Sequence, residues 1–365
     1  MSKNRFWFTV ISLLVVCLLI HWYANNPNWV ELQYSLSIYP IFSRFFSILF
    51  GWIPFSVGDI LYGLAGIWII VKLVTGCKVL LQRKLSKELI IRKIKKVLIL
   101  ILSIYILFNL LWGINYNRQG IAQTLKLNVE DTISYIDIKT INHLLADKLN
   151  ASKNYLLKHQ VPYPSNKNLF KEMAAAYRTA KDSLPFLQYT TASVKPSMWG
   201  WLGNYTGFTG YYNPFTGEAQ VNTYAPKFLQ PFVTCHEIAH QVGYAKENEA
   251  NAVGYLVALH SNDSLLLYST YFDLYIYAFR ELAIQSSIRK DTTVLFEMRQ
   301  GLIPAVKEDF KTLNNYFHQH QNPIEPFIRK GYGMYLRNNN QPGGMKSYDE
   351  VLRFIISYYK KFGKI

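Results

Sequence analysis

Three apolar runs of about twenty residues lie within the first 120 positions, and a water-soluble core has little room for three such segments. They cover residues 6–24, about 56–77 and about 97–116, each long enough as a helix to cross a hydrocarbon layer of about 30 Å. The first is read as a retained span. Its rival, a cleaved signal peptide, is disfavoured because the run is long for an h-region and no A-x-A-like site precedes the polar NNPN. Gly63, Ala65 and Gly66 would let the second approach a neighbouring helix closely, and Trp112 and Tyr116 end the third where aromatic rings favour the interface.

The charge follows these runs. Residues 1–120 hold 13 Lys and Arg against three acids, ten of the sixteen net positive charges. Such charge beside long apolar runs points to membrane topology and away from nucleic acid. Between runs two and three lie Lys78, Arg83, Lys84, Lys87, Arg92, Lys93, Lys95 and Lys96 with one acid, Glu88, so this loop should stay cytoplasmic. Everything after about residue 118 then falls on the extracytoplasmic, periplasmic side of a multi-pass cell-membrane protein. The aromatic segment 25–55, interrupted by Pro40 and Pro54, reads as interfacial or re-entrant.

The expected architecture is mainly α: a membrane anchor over 1–118 and a mostly helical α+β domain with a small sheet over 119–365. Helical spacing marks about 137–158, 168–183, 228–242, 248–261, 264–289, 292–318 and 347–361, the last opening on a capping box of Ser347 and Glu350. Asp273 and the shortness of the apolar stretch 264–279 make that segment a core helix and not a fourth span. Gly, Tyr, Thr and Asn crowd 193–226, which suits strands and tight turns. Cys17, Cys77 and Cys235 form no framework and read as free thiols.

The chemistry-bearing stretch is PFVTCHEIAHQVGYAKENEAN, residues 231–251. On a helix His236 and His240 project from one face, one turn apart, and offer two imidazole nitrogens to a single Zn2+. Glu237 is offset by about 100° and reaches water beside the metal without binding it, the position of a general base. Cys235 points away from that face. A third ligand requires the chain to turn back, and Gly243 supplies the break. Glu249 is the preferred third ligand, with Glu247 as the alternative or simply a first-turn acid favoured by the helix dipole.

These residues resemble the gluzincin metallopeptidases, in which His-Glu-x-x-His is followed by a glutamate ligand. Glu247-Asn-Glu-Ala-Asn251 is similar to the E-x-E-A-D of membrane-anchored members. That resemblance implies a zincin-like domain, Glu249 on the metal, and Asn251 in the place of the aspartate that steadies a ligand histidine. The interval from His240 to Glu249 is shorter than in most gluzincins. Nearly the whole chain also resembles an uncharacterised bacterial membrane-protein family, a domain of unknown function (3810), through NPNWVE, FGWIPFSVGD, GFTGYYNPFTGEAQVN, HEIAHQVG and SYDEVL.

Two readings of 217–222 stand side by side. Glu218, Gln220 and Asn222 lie on an edge strand that binds substrate backbone, or the segment is a structural hairpin turning at Asn213-Pro214 and Thr216-Gly217. Tyr211, Tyr212 and Tyr224 are candidate oxyanion donors, and His318 and His320 read as solvated loop residues. The function expected is that of a zinc metallohydrolase acting on a peptide or protein substrate beside the lipid bilayer. Hydrolysis of a cell-wall or other non-peptide amide, or a non-catalytic tethered binding role, are the alternatives.

Overall fold

The computed structural model describes residues 3–82, 86–130, 132–341 and 348–365. Helix α1 runs over Lys3–Ala24. Asn26 then caps a short α2, Pro27–Trp29, by accepting from Asn28 and Trp29 N–H. The chain continues without a break through a π-helical stretch, Val30–Ile38, into α3, Tyr39–Phe50. Pro40 accounts for the wide turn: it offers no N–H and would crowd the carbonyl four residues back, and π spacing relieves both. Segment 25–55 is thus largely one helix, and its Val30, Tyr34 and Tyr39 pack with Trp112, Ile114, Tyr116 and Ala245 in a small second core.

Helix α4, Val57–Leu81, starts at Ser56, whose Oγ accepts from Asp59 N–H. Helix α5, Lys87–Leu111, starts at Ser86 in the same way and so takes in basic residues ahead of the expected apolar run. It stops at Leu111, and Trp112 enters a 3-10 turn over Gly113–Asn117. Helices α1, α4 and α5 are long and apolar enough to span a membrane, and only 17%, 0% and 6% of their apolar windows is buried. Apolar surface so poorly covered by protein belongs against lipid, and the chain is membrane-associated.

After a one-turn α6, Ile121–Thr124, the remaining domain is built on α7, Tyr135–Lys158, and α8, Asn166–Ser183. Strand β1, Val194–Pro196, helix α9, Gly200–Thr206, and strands β2, Gly210–Asn213, and β3, Glu218–Val221, follow. The sheet order is β1-β3-β2, with β1 parallel and β2 antiparallel to the central β3. Asn213 makes an Asx turn onto Phe215 N–H, and Gly217 closes the hairpin at φ +65°.

Helices α10, Gln230–Gln241, α11, Glu247–Leu259, and α12, Ser264–Arg289, form the centre. Asp263 caps α12, which buries Leu266, Phe272, Leu274 and Leu282 and is a core helix, as its Asp273 implied. The expected helix over 292–318 is two, α13, Thr293–Gly301, and α14, Pro304–Gln319, because Gly301 and Pro304 break it. Helix α15, Glu325–Asn338, has no counterpart in the sequence reading, and α16 covers Tyr348–Phe362. Ser347 of the expected capping box lies outside the described residues.

Candidate metal centre

Helix α10 carries Pro231 in its first turn and stops at Gln241, and Gly243, two residues on, adopts φ +91°. A Cβ there would meet Tyr39 at 2.9 Å, so glycine is required both by conformation and by the close approach of α3. Tyr244 N–H returns to Ala239 O and Gly243 N–H to His240 O, and the chain reverses into α11 at Glu247.

The last carbonyls of a helix lack partners within it. Here side chains from the anchor supply them. Trp112 Nε1 donates to His240 O at 3.1 Å, Tyr39 Oη and Ser43 Oγ donate to Gln241 O at 2.9 and 3.0 Å, and Arg118 Nη1 donates to Gly243 O at 3.1 Å. Arg118 is itself held by Glu31 through bonds of 2.6 and 2.9 Å and lies 4.0 Å over the Tyr244 ring.

The sheet is fastened to the anchor too. Glu218, fully buried, accepts from Val57 and Gly58 N–H at 3.1 and 2.6 Å and so occupies the electropositive start of α4. Asp59 accepts from Met198 N–H at 2.6 Å and contacts Tyr211 Oη, and Lys195 Nζ donates to Gly51 O at 2.9 Å. NPNWVE and FGWIPFSVGD are therefore docking segments for the motif-bearing domain.

His236 Nε2, His240 Nε2 and the Glu247 carboxylate converge. The two nitrogens are 3.1 Å apart, and Glu247 Oε2 and Oε1 lie 3.1 Å from His236 and 3.8 Å from His240 respectively. Zinc bonds of about 2.0–2.1 Å at tetrahedral angles separate ligand atoms by about 3.3–3.4 Å, which these spacings bracket. Each imidazole has its other nitrogen engaged: His236 Nδ1 donates to Asn251 Oδ1 and His240 Nδ1 to Tyr244 O, both at 2.7 Å. With a metal bound, these partners would keep a proton on each Nδ1 and leave each Nε2 to face the ion, as outer partners of metal-binding imidazoles commonly do. The donor set fits a zinc ion.

The third member of the cluster is Glu247, not Glu249. Glu247 and Asn251 are four residues apart on α11 and share a face, whereas Glu249 lies about 200° around the helix. Its carboxylate is buried against the chain after α5, where it accepts from Ile121 N–H at 3.3 Å. Burial pushes its pKa up to about 6, with Lys246 and Arg118 opposing. The turn at Gly243 was legible, but it reverses the chain so that the first acid of α11, not the second, meets the histidines. Asn251 does contact His236.

The ionisation of the four groups is unequal. Burial presses His236 down, yet its bond to Glu247 and the charges of Glu247 and Glu237 outweigh it and raise the pKa to about 9. His240 is lowered to about 4, chiefly by burial. Burial disfavours ionised Glu247, but the bond to His236 and the two imidazoles bring it to about 2. Glu237 is buried next to the cluster with Oε2 unpartnered, and burial raises it to about 8. Such an acid is poised to take and return a proton near neutral pH.

Other expected residues fall elsewhere. Glu218 and Gln220 are buried in the central strand and Asn222 just after it, with Gln220 paired to Ser56 Oγ and Asn222 to Asn204 Oδ1, so these side chains are engaged within the protein. The hairpin reading holds. Strands β1 and β2 form the two edges, and a Cβ on Gly210 of β2 would come within 2.6 Å of Glu237 Oε1. Tyr211 is tied to Asp59 and Ser197, Tyr212 shares a bond with Tyr39 at 3.2 Å, and Tyr224 is 61% exposed. His318 is exposed, as expected, but in the last turn of α14 and not in a loop, and His320, half-buried at the C-cap, donates from Nδ1 to Tyr316 O at 2.6 Å. Cys235 is buried beside Met173, and all three cysteines are free.

Sequence reading missed Tyr332 of α15, whose hydroxyl donates to Glu247 Oε1 at 2.5 Å and whose ring packs edge-on against Phe208. Gly331 and Gly333 flank it and weaken the helical signal.

A mainly helical, membrane-associated chain with a partly buried two-histidine, two-glutamate constellation on adjoining helices is the class so defined. The chain belongs to the family described as Protein of unknown function (DUF3810), whose model matches residues 34–356. No curated protein and no solved structure matches it.

Proposed function

We propose that this protein is a membrane-anchored, zinc-dependent metallohydrolase that cleaves peptide bonds outside the cytoplasm. The observation that carries the reading is the convergence of His236, His240 and Glu247 at ligand spacing beside the unpartnered carboxyl of Glu237. The resemblance to gluzincins and the basic loop around residues 78–96 support the reaction type and the side of the membrane.

His236, His240 and Glu247 would hold the metal, with Asn251, Tyr244 O and Tyr332 orienting them. A zinc ion there supplies a Lewis acid that polarises a carbonyl and lowers the pKa of water. Glu237 takes a proton from the attacking water, whose oxygen bonds to the scissile carbonyl carbon. As the carbon–nitrogen bond breaks, Glu237 returns that proton to the leaving amine. The outer edge of β2 lies alongside Glu237 and suits an extended substrate backbone adding as a further strand.

The test is metal analysis and a peptide-substrate screen on the full chain, wild type against Glu237→Gln. One zinc per chain in both, with hydrolysis reduced by about 10²–10⁴ in the variant, is expected. Equal hydrolysis by both proteins refutes the role of Glu237. A reporter fused after residue 365 tests the topology, and a cytoplasmic signal overturns it.

A further inference from the structure

The cavity holding the cluster continues well beyond it. Its volume is about 1370 Å³, larger than the roughly 300–1,000 Å³ of a small-molecule pocket. Its lining includes the polar Asn204, Arg280, His320 and Arg329. It also includes Tyr62 of α4 and Ile101, Ile104, Tyr105 and Phe108 of α5. These residues belong to the two candidate spans Val57–Leu81 and Lys87–Leu111.

Depth follows from helix geometry. Trp112 marks the end of α5, and at a rise of about 1.5 Å per residue Ile104 and Ile101 lie about 12 and 16 Å back along the span. That reaches towards the middle of a hydrocarbon layer of about 30 Å. Helix α5 packs along α1, whereas no comparable packing joins it to α4 among the described residues. Ile101, Ile104 and Tyr105 are 58%, 48% and 42% exposed. The cavity therefore opens sideways between α4 and α5 at the level of the lipid tails, and the same space runs up to β2 and Glu237.

We infer that substrate enters laterally from the bilayer between α4 and α5, and that it is a membrane-anchored polypeptide cut just outside its transmembrane segment. The inference rests on the proposed hydrolase reading for its cleavage step only. An apolar wall at tail depth accommodates a hydrophobic segment. The β2 edge beside Glu237 matches an extended peptide backbone leaving that segment, a feature an acyl chain would not use.

The test uses full-length Glu237→Gln reconstituted in phosphatidylethanolamine–phosphatidylglycerol vesicles, with a photo-crosslinking residue at Ile104 or, as control, at Ile94, which is 61% exposed on the same helix but outside the cavity. The probes are a synthetic peptide with an apolar 20-residue span and a polar flank, the flank alone, and the flank bearing one palmitoyl chain. Crosslinking of the span-bearing peptide at 104 and not at 94 is expected. In the active protein, Ile104→Trp should lower cleavage of that peptide by about tenfold or more while leaving the soluble flank unaffected. Equal crosslinking at both positions, equal capture of the palmitoyl probe, or an Ile104→Trp effect shared by the soluble flank overturns the inference. Site-selective crosslinking without cleavage by any form leaves lateral entry standing and removes the hydrolase reading. Cleavage of the soluble flank without selective crosslinking does the reverse.

Discussion

Replacing Glu31 by Ala is expected to destabilise the turn that presents the metal cluster, although Glu31 lies more than 200 residues from it in sequence. The Glu31 and Arg118 side chains are only 9% and 3% exposed, and they pair through two bonds of 2.6 and 2.9 Å. Removing the carboxylate leaves a buried guanidinium facing no counter-charge at that position, a loss of about 3–5 kcal/mol for a broken buried pair. That corresponds to roughly a 150- to 5,000-fold change in the folding equilibrium. The guanidinium also donates to Gly243 O and stacks on Tyr244, so the loss should be felt in the His240–Glu247 connection. Unfolding in mixed micelles, followed by tryptophan fluorescence and by proteolysis within 240–247, measures both effects. A cost under about 1 kcal/mol, the range of an exposed ion pair, would refute the claim that this pair clamps the turn.

Four further outcomes are expected. Glu247→Ala should abolish stoichiometric zinc and Glu249→Ala should retain it, as read by metal analysis; the opposite pattern restores Glu249 as the ligand. Asn251→Ala should weaken zinc affinity by about 10- to 100-fold in competition with a chelator, since it removes the partner of His236 Nδ1. Gly210→Ala places a Cβ against Glu237, and should lower turnover while the zinc content stays at the wild-type level. Metal-free His236 keeps its proton up to about pH 9. Zinc binding at pH 7 should therefore release at least one proton, and apparent affinity should rise with pH until about 9; calorimetry in buffers of different ionisation enthalpy detects this, and no release at pH 7 would contradict the raised pKa.

Much of the chain is legible in its local sequence. Apolar runs of fixed length and the i, i+4 spacing of His236 and His240 are properties of single helices, and local sequence suffices to specify them. Gly243 could be read as a helix stop because its conformation is a local demand. The register after the stop was not local. Whether Glu247 or Glu249 meets the histidines depends on the angle at which α11 leaves the turn, and Arg118, Trp112 and Tyr39, all from the anchor, hold that turn.

The roles of Glu218 and Tyr332 were hidden for the same reason. Glu218 alternates along a strand like a residue facing substrate, yet the order β1-β3-β2 makes its strand central and aims it at the start of α4. Tyr332 sits between two glycines in a segment with no clear helical pattern, and only packing brings its hydroxyl to Glu247. Three membrane-length helices, a mainly helical stretch after them and a two-histidine, one-glutamate motif on one helix follow from local sequence alone. The third acidic partner, the placing of β3 between two edge strands and the joining of anchor and domain around one cavity arise only on folding, because each depends on contacts between residues tens to hundreds of positions apart.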